Sequence, residues 1–404
     1  MKILQICKKM PLPPKDGEAV AVLSLAKAYK SLGCKIDLLS FNTSKHFSDP
    51  SEINNDEHPY ENIDTVNLNT DINYLGALFN LLGSSSYNIE RFTSKDMKKK
   101  LQHILLHTSY DVVQLESLYM APYAEHIKPI SNAFIIMRSH NLEFKIWEDM
   151  ANNQSNVMLR WYYNLAARRL KKYEQDVKNS FDLLLAISEI DQKEYQKLSY
   201  SIPSMAIPIG IELKQYPKNF YEEKPMIKLA YIGSLDWRPN IEAVEWFFKE
   251  VWPTIYKNYE NIEFHLAGRN PVDVIKNLEH PGLYFHGEIE SAIDFISNQD
   301  IIIVPLLSGS GVRVKVLESM ALGKLVISSS KGFEGINIQN NVNAMVANDT
   351  EEFIATINKA LESKKTIRQV GEAARLFIEN NYNPETQARQ ILKLISEHNK
   401  PIEI

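Results

Sequence analysis

The sequence predicts an α/β protein of two Rossmann-like, doubly wound domains, and three observations carry that reading. Short apolar runs alternate with amphipathic helical periods along the chain, the signature of parallel α/β layers. The alternation stops at a Pro- and charge-rich stretch, Leu213–Pro225, and begins again near Lys228. At 404 residues the chain is long enough to bury two full cores.

In the first series the pattern predicts strands over Lys2–Ile6, Lys35–Ser40, Val112–Leu115, Phe134–Arg138, Leu183–Ile187 and Met205–Ile207. Helical spacing covers Ala19–Leu32, ended by Gly33, and Arg160–Val177, whose outer face is thick with Arg and Lys. The Asn-, Asp- and Ser-rich interval Asn42–Thr70 reads as a long loop. In the second series the strands fall at Leu229–Ile232, Glu263–Leu266, Leu283–His286, Ile301–Val304, Leu325–Ser328 and Ala344–Val346. Pro384 breaks the helical tail, and Glu385–His398 makes one last helix. These boundaries divide the chain into domains 1–212 and 213–383 and a closing segment, 384–404.

Composition removes several classes. A net charge of −5 argues against a global nucleic-acid footprint, so no nucleic-acid partner is expected. Two cysteines, Cys7 and Cys34, lie in or beside strands and read as buried thiols of a reducing compartment. MKILQICKKM is too short and interrupted for a signal peptide, and no apolar run approaches the ~18 residues that span a bilayer. The expected location is therefore cytoplasmic, at most peripheral to the inner face of the cell membrane. Cys/His ligand spacing, His-Glu-x-x-His and Asp-x-Asp are absent, so no metal site is indicated. Neither a P-loop nor a G-x-G-x-x-G after the first strand is present, which disfavours P-loop NTPases and dinucleotide dehydrogenases.

The chemistry gathers at Ser308–Ser329. Gly309 and Gly311 break the strand Ile301–Val304, and helical spacing over Val312–Leu322 puts Arg313 and Lys315 in the first turn. That end of a helix carries partial positive charge, so each cation costs about 0.3–1 kcal/mol unless an anion sits there. A phosphate group meets that need; two solvated side chains on an ordinary turn are the alternative. Glu318, one turn on, offers two acceptors to a pair of sugar hydroxyls. Eight of the 15 glycines lie between Gly268 and Gly335, as close backbone approach to a ligand would require. Arg238, just before the helix Ile241–Val251, is placed for a second phosphate contact, while Asn240 suits an N-cap. His140 sits at the carboxyl end of a strand, and Gly17 lies in the turn after the first strand. Each has the topology of a cleft-facing residue, and each could equally be structural.

Together these residues resemble the family 4 retaining glycosyltransferases of GT-B fold (glycosyl transferases group 1). The resemblance rests on GSLDWRPNIEAVEWF (233–247), FHLAGRNP (264–271) and SGSGVRVKVLESMALGKLVIS (308–328), supported by RSHNLE (138–143), PIGIE (208–212) and KGFEGI (331–336). It implies two Rossmann-like domains with a nucleotide-sugar site in the cleft, the final helix returning to the N-terminal, acceptor-side domain. It implies that Arg238 and Lys315 contact the diphosphate of a nucleoside-diphosphate sugar, with Arg313 beside them and Glu318 on the ribose. His140 then meets the donor sugar and reaction centre, and Gly17 belongs to a cleft-facing loop. The implied reaction is metal-independent transfer of a hexose-type unit with retention, without a cofactor, to a glycan or lipid-linked glycan in surface polysaccharide or glycoconjugate synthesis. The leaving phosphate takes the acceptor proton.

One position departs from the pattern. The family's first glutamate would fall at Ser310, so a non-catalytic nucleotide-binding or partner-binding protein of GT-B fold is the alternative. The apolar segment Tyr74–Phe92 and the cations Lys95 and Lys98–Lys100 read either as a solvated helix face or as a peripheral membrane contact.

Overall fold

A computed structural model describes residues 1–14, 16–44, 47–49, 58–70, 83, 85–309 and 311–398. The chain divides into two compact units, Met1–Gly210 with Pro384–Ile404, and Ile211–Asn383.

The first unit contains strands β1 (Lys2–Cys7), β2 (Lys35–Thr43), β3 (Asn62–Leu68), β4 (Val112–Glu116), β5 (Phe134–Ser139), β6 (Leu183–Ala186) and β7 (Ser204–Ala206). They form one parallel sheet in the order β3-β2-β1-β4-β5-β6-β7. Its helices are α1 (Gly17–Ser31), α2 (Tyr87–Glu90), α3 (Lys95–His107), α4 (Ala124–Ile127), α5 (Glu143–Asn152), α6 (Val157–Asp176) and α7 (Glu189–Lys197). Because side chains alternate across a strand, neighbours along β1 and β4 enter different cores. Leu4, Ile6, Val113 and Leu115 pack on one face with Met97 and Leu101 of α3. Ile3, Cys7 and Val112 pack on the other with Val22 and Leu25 of α1 and with Ile391 of the last helix.

The second unit contains β8 (Ile227–Ile232), β9 (Ile262–Ala267), β10 (Leu283–Gly287), β11 (Ile301–Val304), β12 (Leu325–Ser328) and β13 (Met345–Val346). Their order is β10-β9-β8-β11-β12-β13, again parallel. Helices α8 (Arg238–Trp246), α9 (Trp252–Asn258), α10 (Asp273–Lys276), α11 (Ala292–Ser297), α12 (Val314–Ala321), α13 (Thr350–Glu362) and α14 (Lys364–Asn381) cover it, and α15 (Pro384–His398) belongs to the first unit. A π-helical turn, Phe247–Val251, joins α8 to α9 and brings Phe247, Phe248 and Trp252 onto Phe264 of β9. Among the described residues no helix is long and apolar enough to cross a membrane.

Both sheets reverse their winding once, at β1/β4 and at β8/β11. In an open parallel sheet the crevice for a ligand lies outside the carboxyl ends of the strands at that point.

The sequence expectation fails at Asn42–Thr70. Strand β2 runs on to Thr43, and Asn62–Leu68 is an edge strand paired with β2 from Asp37↔Asn62 to Thr43↔Leu68. An edge strand needs only half its surface buried, so its Asn and Asp residues, which look like loop, are compatible with pairing. Asp37 accepts from both the backbone and the side chain of Asn62 and fixes that register. The last helix begins at Pro384, whose missing N–H costs nothing in a first turn. Of Tyr74–Phe92, residues 74–82 and 84 lie outside the described residues. Helix α3 buries Met97, Leu101 and Leu105, and its Lys100 pairs with Asp64 at 2.6 Å.

Gly371 lies within α14, where alanine ordinarily gains about 1 kcal/mol of helix propensity. Here a Cβ would stand 2.2 Å from the carbonyl oxygen of Gly323, the residue with φ +78° that ends α12. Backbone cannot step aside as a flexible side chain would. Gly371→Ala is expected to destabilise by about 1–3 kcal/mol, read as a lower urea midpoint; an unchanged or raised midpoint would contradict this close approach.

Candidate active site

In the second unit the loop after β11 returns to α12 beside β8. Arg313 is the N-cap of α12 and lies one residue outside the helix, not in its first turn as the periodicity suggested. Its guanidinium is buried and sits 5.1 Å from the ring centroid of Trp237, whose indole is exposed beside Gly309. A Cβ on Gly309 would meet Trp237 at 2.8 Å and Arg313 at 3.1 Å, and its φ of +91° also favours glycine.

Lys315 occupies the first turn. Its ammonium donates to the Tyr231 hydroxyl at 2.8 Å and to Asn240 Oδ1 at 3.4 Å, close beside Gly233. Both partners are neutral. Burial and the nearby Arg313 together pull the amine well below the ordinary lysine range. Glu318, one turn later, accepts from the Tyr216 hydroxyl at 2.9 Å, and burial raises its carboxyl against that hydrogen bond. Among the described residues no ion pair joins Lys315 to Glu318, so the two face their site with separate supports.

Arg238 is the first residue of α8, with Trp237 as N-cap; Asn240 is not the cap expected from the sequence. Instead Asn240 donates to Ser234 O at 2.8 Å and holds Lys315 through its oxygen. The Arg238 side chain is largely exposed and pairs with Glu242 at 2.7 Å, and Glu242 also accepts from Ser308 at 3.1 Å. Arg238 is thereby tied to the same loop as Arg313. Ser310 lies outside the described residues.

In the first unit His140 follows β5 and is buried. Its Nε2 lies 2.7 Å from Glu116 Oε2, while Glu116 Oε1 accepts from Gln5 at 2.6 Å and Gln114 at 2.5 Å. Arg138 Nη1 stands 3.6 Å from the same carboxylate and donates to Ala21 O at 3.0 Å. Burial opposes the charge on Glu116, but Arg138 and His140 outweigh it and hold the carboxyl at about 2. Gly17 is the first residue of α1 rather than part of the preceding turn. Its neighbours Asp16 and Glu18 bind the cations that follow β1: Lys9 lies 2.6 Å from Asp16, and Lys8 lies 3.2 Å from Glu18. Burial works against the charge of Glu18, yet Lys8, Lys9 and His140 bring its carboxyl to about 2. Gly17 and His140 therefore share one charged cluster at the β1/β4 switch point.

The sequence did not single out Glu116, Glu18, Tyr231 or Tyr216. Glu116 had a signal, an acid closing the apolar strand Val112–Leu115. The tyrosines had none, because each looks like an ordinary core residue.

Residues 227–363 match the family model described as Glycosyl transferases group 1. The 44.6 kDa protein in the cps region of Klebsiella pneumoniae is 23% identical over 403 residues, covering 97% of this chain and 99% of that protein. Among solved structures, sucrose-phosphate synthase from Thermosynechococcus elongatus superposes with a TM-score of 0.73 at 15% identity, over 98% of this chain and 99% of that one. Anabaena HepE in complex with UDP superposes with a TM-score of 0.66 at 13% identity, over 98% and 100%. The fold is GT-B, and the matched family model supports a glycosyltransferase.

Glu116→Gln tests the first cluster. A carboxyl held at about 2 stabilises the fold above its ordinary 4.5 and loses that contribution as pH falls toward 2. The variant, which leaves Arg138 without its counter-charge, is expected to lose about 3–5 kcal/mol at neutral pH. In urea titrations at successive pH values the gap to the unaltered protein should close between pH 4.5 and 2.

Proposed function

We propose that this chain is a retaining glycosyltransferase that moves a hexose-type unit from a nucleoside-diphosphate sugar to a glycan or lipid-linked glycan. The observation that carries the reading is Lys315, a desolvated ammonium whose hydrogen-bond partners are neutral, at a helix start one turn from Glu318. A diphosphate supplies the missing negative charge, and Glu318, oriented by Tyr216, accepts from the ribose hydroxyls. Arg313 and Arg238 add charge at the same loop, so the leaving diphosphate is stabilised by protein cations and the α12 N-terminus without a metal or cofactor. HepE, a neighbour in fold, has structures described with UDP and with UDP-glucose, which favours the same class of donor here.

His140 acts on the sugar side. Glu116, held ionised, can only accept, so Nε2 carries the hydrogen and Nδ1 is the nitrogen left for substrate. Gly17 opens α1 next to Glu18, whose carboxylate interacts with His140. In the transfer the bond from the anomeric carbon to the phosphate oxygen breaks, and a bond to the acceptor oxygen forms on the same face. The acceptor proton passes to the leaving phosphate. A relative along nearly the whole chain lies in a cps region, a polysaccharide context, which favours a surface glycan as product. We place the enzyme in the cytoplasm, in peripheral contact with the membrane that carries such an acceptor.

UDP or GDP is expected to bind in titration calorimetry with no metal added, and Lys315→Ala or Glu318→Ala should each weaken binding more than tenfold; unchanged affinity in both sinks the site. His140→Ala should abolish sugar-nucleotide hydrolysis and transfer while leaving nucleotide affinity intact. Failure of the unaltered protein to turn over any of a panel of nucleotide sugars, with nucleotide still bound, would favour a binding protein of the same fold.

Proton linkage gives a separate reading. Because Lys315 is pulled down in the free protein and a diphosphate restores its charge, binding takes up a proton wherever the free amine is neutral. Affinity should fall as pH rises toward the ordinary lysine range, and Lys315→Met should bind weakly with no such slope. Calorimetry in buffers of different ionisation enthalpy counts the proton directly.

A further inference from the structure

Helices α5 and α6 form a hairpin whose tip places large apolar side chains in water. Met150 near the end of α5, and Val157, Met158, Leu159 and Trp161 in the first turns of α6, are all exposed, Met158 by 82% and Trp161 by 59%. The tip is held in shape. Asn156 caps α6 by accepting from the backbone of Met158 and Leu159, and Trp147 of α5 packs edge-on against Tyr163 at 5.6 Å. These side chains are therefore presented by a fixed helix.

Charge completes the pattern. From Val157 to Lys172 the sequence has five cations, Arg160, Arg168, Arg169, Lys171 and Lys172, and no acid. Ala167, Leu170 and Glu174 mark the buried side of α6. On a helical wheel the opposite side carries Val157, Met158 and Trp161, then Arg168 and Lys172 at i+7 and i+11 from Trp161. An apolar tip with a tryptophan, followed along the same stripe by cations, matches a bilayer interface: hydrocarbon for the tip, headgroup depth for the indole, lipid phosphates for the cations. A second copy is a poorer occupant, because a two-fold contact would set the same cations against each other.

We propose that the α5–α6 tip docks this protein on an anionic lipid bilayer through Met158, Trp161 and their neighbours, with Arg168 and Lys172 on the lipid phosphates. This deepens the acceptor half of the proposed function, since a lipid-linked glycan is presented at such a surface. Docking is nevertheless read without turnover, so it stands or falls apart from the transfer reaction.

The test is co-sedimentation of the full chain with vesicles of phosphatidylcholine alone and of phosphatidylcholine mixed with phosphatidylglycerol. Binding to the mixed vesicles, weakened by salt, is expected. Met158→Glu with Trp161→Glu should reduce it at least about tenfold, and Arg168→Glu with Lys172→Glu should remove both binding and its salt dependence. Both variants are expected to keep the unaltered melting temperature and nucleotide affinity, because the altered side chains are exposed. A tryptophan emission blue-shift on mixed vesicles should be smaller in Trp161→Phe. No binding to mixed vesicles at low salt, or binding untouched by both double substitutions, overturns the proposal. Self-association without lipid, lost in Met158→Glu with Trp161→Glu and accompanied by no vesicle binding, assigns the tip to a second copy instead.

Discussion

Charge held at the carboxyl ends of parallel strands is the constraint on which both units turn. A parallel sheet gathers its strand ends on one side, and at the point where the winding reverses no helix crosses over to cover them. Polar groups placed there are partly stripped of water and must find partners or be completed by a ligand. The two units meet that demand in opposite ways. Around Glu116 the first unit closes its own account of charge, with Arg138, His140, Gln5 and Gln114 on one carboxylate and Lys8 and Lys9 on Glu18. Around Lys315 the second supplies a cation whose hydrogen-bonding partners, Tyr231 and Asn240, carry no charge.

That asymmetry divides the chemistry. A self-neutralised cluster is rigid, and rigidity suits the role proposed for His140, which offers one nitrogen in one tautomer. An electrostatically incomplete cluster costs stability in the free protein, and the deficit returns as affinity when an anion arrives. The start of α12 adds to the deficit, because its unsatisfied N–H groups and macrodipole also favour negative charge. Two features that each weaken the unliganded unit, Lys315 and the helix start, thus favour the same kind of ligand, an anion, with the Trp237-stacked Arg313 beside them. Stability and function oppose each other here.

How far the sequence could be read follows from how each part is written in it. The strands of both sheets are apolar runs that periodicity finds, and Ile301–Val304 and Leu325–Ser328 fall where expected. Strand β3 escaped because half-buried pairing at a sheet edge tolerates Asn and Asp, and local composition cannot register a partner strand that precedes it in the chain. Arg313, Lys315 and Glu318 could be singled out as candidates because one loop and one helix turn hold them in a continuous segment. Asn240 was misassigned for the opposite reason. A short polar residue near a helix start suits a cap, and only tertiary structure shows that its side chain spans from Ser234 to Lys315.

The same logic explains where recognisable pattern concentrates. The group 1 family model spans residues 227–363 and lies wholly within the second unit. There the candidate site is built from two compact stretches, Tyr231–Glu242 and Ser308–Glu318, supplemented by Tyr216. In the first unit the cluster draws Lys8, Glu18, Glu116 and His140 from three strand ends and a helix start, with long intervals between them. Such a cluster leaves little local signature, since each member sits among residues chosen for its own strand or helix. A chain that takes a common class of donor and its own acceptor would show this distribution: a contiguous, shared donor segment, and an acceptor-side unit whose identity is dispersed along the sequence. The exposed α5–α6 tip belongs to that second category, a feature of the first unit that the three-dimensional structure isolates and the helical period alone hides.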